Sequence, residues 1–106
     1  MPPALQPAFR ALADPTRREI LVMLGRSDMT IGEVSARFQM TRAAVKKHLT
    51  VLEEGDLISV RSAGRERINS LNPNALRPVT TWLSYFDQFW DDKLANLKET
   101  IEGDPT

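Results

Sequence analysis

At 106 residues the chain is long enough to bury a core without disulfide or metal staples, and it reads as one domain over residues 1–106. It has no cysteine, which removes disulfides, thiolate metal ligands and thiol nucleophiles, and its 14 basic and 14 acidic residues cancel to a formal net charge of zero. That zero hides a polarity: residues 37–67 hold seven Arg or Lys against four acids, whereas residues 79–106 hold six acids against two lysines, so the basic middle suits a polyanionic partner.

No apolar run approaches the roughly 20 residues needed to cross a bilayer, and MPPALQPAFR lacks the apolar core of a signal peptide. The expectation is a cytoplasmic protein with no membrane partner.

In chain order, residues 7–12 read as a short helix that turns Phe9 and Leu12 inward. Asp14-Pro15 has the form of an N-cap followed by proline at the first helical position, where its missing N–H costs nothing. Ile20, Leu21 and Leu24 follow at helical spacing, and Gly25 is the expected end of this second helix. Thr30-Ile-Gly-Glu33 has capping-box spacing and predicts a helix over 31–38. Thr41 can cap the next helix, over 42–54, which Gly55 ends. Val34, Phe38, Met40, Val45 and Leu49, with small Ser35 at the crossing, have the spacing of a helix-turn-helix. Gln39 departs from the pattern, since many such turns place glycine there to accept a positive φ.

Beyond Gly55, residues 57–61 and 66–71 alternate with period two around a turn containing Gly64, which predicts a β-hairpin. A helix-turn-helix followed by a basic hairpin is the layout of a winged helix. Asn72-Pro73 can start a helical turn, but Pro78 is expected to break or kink it, placing the long final helix at about 78–102. Leu83, Phe86, Trp90, Leu94, Leu97 and Ile101 form its stripe, which Trp82 and Phe89 widen. The predicted fold class is mainly α with a small β-hairpin, a winged helix-turn-helix whose terminal helices form a dimer interface.

On a helical wheel with Val45 at zero, Leu49 falls near 40° and Leu52 near −20°, with His48 and Ala44 at about −60° and −100°, all facing the core. Ala43, Lys46, Lys47 and Thr50 fall on the opposite side, with Arg42 at the border. A major groove about 12 Å wide admits a helix with small residues for close approach and a few long donors. Thr41 and the helix N-terminus can meet a phosphate, Arg42 can present two donors to guanine, and Lys46 and Lys47 act as point charges. Ala43 and Thr50 allow methyl contacts. Arg61, Arg65 and Arg67, expected at the hairpin tip, would lie across a neighbouring backbone or minor groove. Each feature has a plainer reading: a solvated basic face, arginines that protect a sheet edge, and a His48 that is structural or a phosphate contact rather than a metal ligand or catalytic group.

Trp82, Phe86, Phe89 and Trp90, at about 150–250 Å² each, are more aromatic surface than a chain of this size covers alone. With Phe9 and Leu97 they are the expected dimer interface; the alternative is that they fold back on their own domain. Two copies about a twofold axis would set the recognition helices about 34 Å apart, matching successive major grooves and an inverted repeat. One histidine, no cysteine and no glycine-rich phosphate loop leave no catalytic set, so an enzyme is not expected. The remaining competitor is a winged helix that contacts only proteins, its basic face meeting an acidic partner.

FRALADPTRREILVML (9–24), TIGEVSARFQMTRAAVKKHLTVLEEGDLI (30–58) and VRSAGRERINSLN (60–72) together resemble the ArsR-type winged-helix transcriptional repressors, in their cysteine-free branch. The resemblance spans nearly the whole chain. It implies that helix 42–54 enters the major groove of double-stranded DNA, that the hairpin is the wing, and that the first and last helices form a twofold homodimer. Thr41, Arg42 and the small residues after them match the DNA-contacting start of that helix, whereas Lys46 stands where many members have serine. Metal-sensing members carry cysteines in the helix matching 31–38, and SDMTIGEVSARF has none. Others use Asp and His pairs on the last helix. Asp87, Asp91 and Asp92 here have no histidine partner on that helix, and a solvated acidic face is the favoured reading, with no metal or cofactor expected.

Overall fold

A computed structural model describes residues 5–90, and Leu94, Leu97, Ile101, Asp91 and Asp92 lie outside the described residues. The elements run α1 (Gln6–Leu12), α2 (Pro15–Arg26), β1 (Met29–Thr30), α3 (Ile31–Phe38), α4 (Arg42–Glu54), β2 (Ile58–Ala63), β3 (Glu66–Leu71) and α5 (Pro73–Ser84).

The helix starts follow the local chemistry. Asp14 accepts from the Arg17 N–H at 3.0 Å with Pro15 at the first helical position. Thr30 and Glu33 close a reciprocal capping box, at 3.2 and 3.0 Å. Thr41 accepts from the Ala44 N–H at 3.1 Å. Gly25 does not end α2, which continues to Arg26 before Ser27 turns extended.

The helix ends are less expected. Gln39, after α3, and Asp56, after α4, both take left-handed backbone with φ of 53° and 61°. Each is followed by a residue whose N–H reaches back into the helix, Met40 to the Ser35 carbonyl at 3.3 Å and Leu57 to the Leu52 carbonyl at 3.0 Å. These are the bonds of a Schellman ending, closed without glycine in the left-handed position. Gly55 sits at an ordinary φ of −84°. Its smallness answers another need, because a Cβ there would lie 2.9 Å from the Pro7 carbonyl oxygen of α1.

The sheet has three strands in the order β1-β3-β2, all antiparallel. The hairpin is the expected one, with Ala63 paired to Glu66 across a Gly64-Arg65 turn in which Gly64 takes φ +65°. Strand β1 is an addition: Met29 and Thr30 pair with Asn69 and Ile68, too short a segment for alternation to reveal. Buried Asn69 donates through Nδ2 to the Met29 carbonyl at 3.1 Å, fixing β1 to the wing.

One apolar core joins these elements. Ile20, Val34, Val45, Leu52 and Leu57 are the largest of its fully enclosed side chains, with Leu21, Leu24, Leu49 and Ile58 around them. The last helix corrects the expectation, beginning at Pro73 rather than near residue 78 and carrying Pro78 inside it. Pro73 occupies the first position, where no hydrogen bond is lost. Pro78 forfeits the bond to the Asn74 carbonyl, but both residues are exposed and water can replace it. Around residues 85–86 the chain tightens, with Tyr85 and Phe86 N–H groups bonding to Trp82 and Leu83, before residues 87–90 resume helix.

Candidate nucleic-acid interface

Helix α4 divides by face as the wheel predicts. Val45, Leu49 and Leu52 are buried, whereas Thr41, Arg42, Ala43, Lys46, Lys47 and Thr50 are all exposed. Ala44 and His48 are half-buried at the border. The helix is seated through its inner face and through α3. Ser35 donates its hydroxyl to the Met40 carbonyl while its own carbonyl accepts from Met40, which clamps the turn between the two helices.

A second clamp gathers at the inner border of α4. Arg17 donates to the Ala11 carbonyl at 2.8 Å and the Arg10 carbonyl at 3.0 Å, and its guanidinium lies 3.4 Å from His48 Nδ1. His48 Nδ1 is also 3.9 Å from the Asp14 carboxylate. The Arg17 backbone N–H holds the Asp14 carboxyl below its ordinary range, helped by the Arg17 and His48 charges. His48 thus joins α4 to the α1–α2 corner, which favours the structural reading of this residue over a phosphate contact; the corner itself leaves no signature in the sequence.

At the start of α4 the Thr41 oxygen is occupied as a cap, which leaves its hydroxyl proton to donate outward. The first N–H groups of the helix have no acceptor within it, and their partial positive charge faces the same way. Arg42 is exposed but lies back over α3, so close that a Cβ on Gly32 would fall 2.8 Å from its guanidinium. Without a Cβ, Gly32 leaves the guanidinium room to lie there.

The wing arginines do not act as one cluster. Arg65 occupies the turn, and Arg67, opposite Ser62, shares a sheet face with Val60 and Asn69. That face and α4 enclose a groove of about 240 Å³ lined by Lys46, Thr50, Glu53 and Arg67 over Leu49 and Ile31. Arg61 corrects the expectation: it lies down the strand opposite Ile68, on the other face, with its guanidinium 3.0 Å from Asp28 and 2.8 Å from the Ser70 hydroxyl. Strand alternation, which puts residues 61 and 67 on opposite faces in this register, is the physical reason. Glu53, which sequence reasoning passes over, brings an acid to the far end of the groove, confining the cationic strip to the first half of α4.

The aromatic residues of the terminal helices meet partly within the chain. Phe9 packs edge-on to Trp82 at 5.4 Å, and Trp82 to Phe86 at 5.2 Å. Tyr85, a further member, packs against Phe86 and Phe89. The face nevertheless stays open, with Trp82, Leu83, Phe86, Phe89 and Trp90 all exposed. None of the described helices is long and apolar enough to cross a membrane.

A family described as a helix-turn-helix domain matches residues 12–61. The chain is 38% identical over 101 residues to the HTH-type transcriptional regulator Rv2034 of Mycobacterium tuberculosis, covering 93% of this chain and 92% of that protein. It is 34% identical over 86 residues to the transcriptional repressor SdpR of Bacillus subtilis, covering 81% and 96% respectively. The crystal structure of an ArsR family transcriptional regulator superposes with a TM-score of 0.74 at 33% identity, over 83% of this chain and 97% of that one. With a winged helix-turn-helix of this connectivity and relatives this similar over nearly their full length, the chain belongs to the ArsR family of transcriptional regulators.

Proposed function

We propose that the protein is a sequence-specific DNA-binding repressor that acts in the cytoplasm as a homodimer and occludes a promoter at an inverted repeat. The observation that carries this is the division of α4, whose apolar side is sealed in the core while Arg42, Ala43, Lys46, Lys47 and Thr50 stand exposed beside the wing. Small residues let the helix approach base edges, and the cations neutralise phosphates and release counterions. Thr41 and the first N–H groups of α4 take a phosphate, Arg42 swings out to a base, and Arg65 and Arg67 hold the adjoining backbone or minor groove. Similarity to a repressor favours repression over activation.

The dimer forms through Phe9, Trp82, Phe86, Phe89 and Trp90; Leu97, expected from the sequence to join them, lies outside the described residues. Its support is the open aromatic face, since burying such rings stabilises by roughly 25 cal/mol per Å² removed from water. The twofold axis then sets two α4 helices about 34 Å apart.

The test begins with selection of bound sequences from a random duplex pool, where an inverted repeat of half-sites about one helical turn apart is expected. Lys46→Ala combined with Lys47→Ala should weaken operator binding and flatten the log–log salt dependence by about 0.9 for each phosphate no longer neutralised. Unchanged affinity with an unchanged slope would place the recognition face elsewhere.

A further inference from the structure

Arg61 carries an ion pair that joins β2 to a residue 33 positions earlier. Asp28 immediately precedes β1, Ser70 lies on the central strand β3, and Arg61 is on the opposite edge strand β2. One guanidinium nitrogen reaches both, at 3.0 and 2.8 Å, so a single side chain ties β2 to β3 and to the residue that leads into β1, on the sheet face turned away from α4. Charge assistance shortens and directs such bonds.

We propose that Arg61 is a positioning residue that straps the wing to the body of the domain and thereby sets where Arg65 and Arg67 stand relative to α4. The proposal rests on the DNA-binding reading above for its consequence, but the strap itself is a property of the free protein. Backbone pairing alone leaves this need open, because β1 contributes only two residues and, among the described residues, the hairpin beyond them has no other strand beside it. A two-stranded hairpin is weakly held by itself. The Arg61 and Asp28 side chains are 60% and 45% exposed, so solvent screens the pair and its effect is modest.

Asp28→Asn separates this role from direct phosphate contact by sign. If Arg61 held a phosphate, neutralising Asp28 would free the guanidinium, remove a negative charge and raise operator affinity. As a strap, both Asp28→Asn and Arg61→Ala lower affinity by about two- to fivefold, the range an exposed pair supplies. Neither then changes the salt slope, while the lysine double variant does. Exchanging the partners, Asp28→Arg with Arg61→Asp, restores affinity although Arg61 is gone.

The same variants are measured without DNA by amide hydrogen exchange across residues 58–71, where both single variants speed exchange by a similar factor and the exchanged pair reverses it. Higher operator affinity in Asp28→Asn, or unaltered exchange in both single variants, overturns the strap. Failure of the parent protein to bind any duplex overturns the DNA-binding reading and leaves the exchange measurement to decide the strap.

Discussion

Helices α4 and α5 both carry an apolar stripe at helical spacing, yet they end in opposite circumstances. In α4 the stripe is fully enclosed, with Val45 and Leu52 at 0% exposure. From Pro73 to Trp90, the last of the described residues, only Val79 is buried, while Phe89 and Trp90 remain 52% and 64% exposed. Periodicity alone makes the two equivalent. The difference lies in what the rest of the chain can cover: α1, α2, α3 and the sheet all pack around α4, whereas α5 meets its own domain chiefly through short α1. A sealed stripe holds a fold together, and an open one of this size calls for a second surface.

The contrast breaks most forcefully at Leu52. Leu52→Ala should cost about 2–5 kcal/mol in denaturant unfolding, because the enclosed site cannot collapse around the missing atoms. Phe86→Ala with Phe89→Ala should act on association instead. A rise of at least about 30-fold in dimer dissociation constant is expected by sedimentation, in keeping with aromatic anchors near 2 kcal/mol or more. If the parent protein is already monomeric and the pair leaves it so, α5 is not an assembly face.

Gly55→Ala tests how α4 is covered. Its Cβ would press on the Pro7 carbonyl, and overpacking of about 1–3 kcal/mol is expected, with a matching fall in midpoint. The smallest effect belongs to the corner that seats α4. The Asp14 carboxyl is held below its ordinary range by the Arg17 N–H, so the unfolded chain takes up the proton first as pH falls. Its contribution is complete above the unfolded value, about 3.9, and is lost as pH drops through the folded value. Asp14→Asn keeps a capping side chain and should flatten the acid limb of the stability–pH curve; an unchanged limb would deny the corner that role.

Much of α4 is legible in the sequence because capping and helical periodicity are local. Thr41, Gly55 and the spacing of Val45, Leu49 and Leu52 fix its length and its inner face, and the exposed cationic face is the remainder. What escapes has partners distant in sequence. Arg61 looks like a tip residue because spacing shows charge but not strand register, and Asp28, its partner, lies 33 residues away. Strand β1 exists only because Asn69 and Ile68 accept it. Gly55 has the look of a helix stop, whereas the left-handed position goes to Asp56 and the glycine admits α1. Pro78 has the look of a boundary, but an exposed helix turn can surrender one bond to water.

The order of helices, the hairpin and its turn, and the side of α4 that turns inward were settled by the chain itself, since each depends on neighbours within a few residues. The third strand, the division of the wing arginines between two faces and the Arg17 corner were decided only on folding. Register and close approach are relations between segments, and no local pattern contains them.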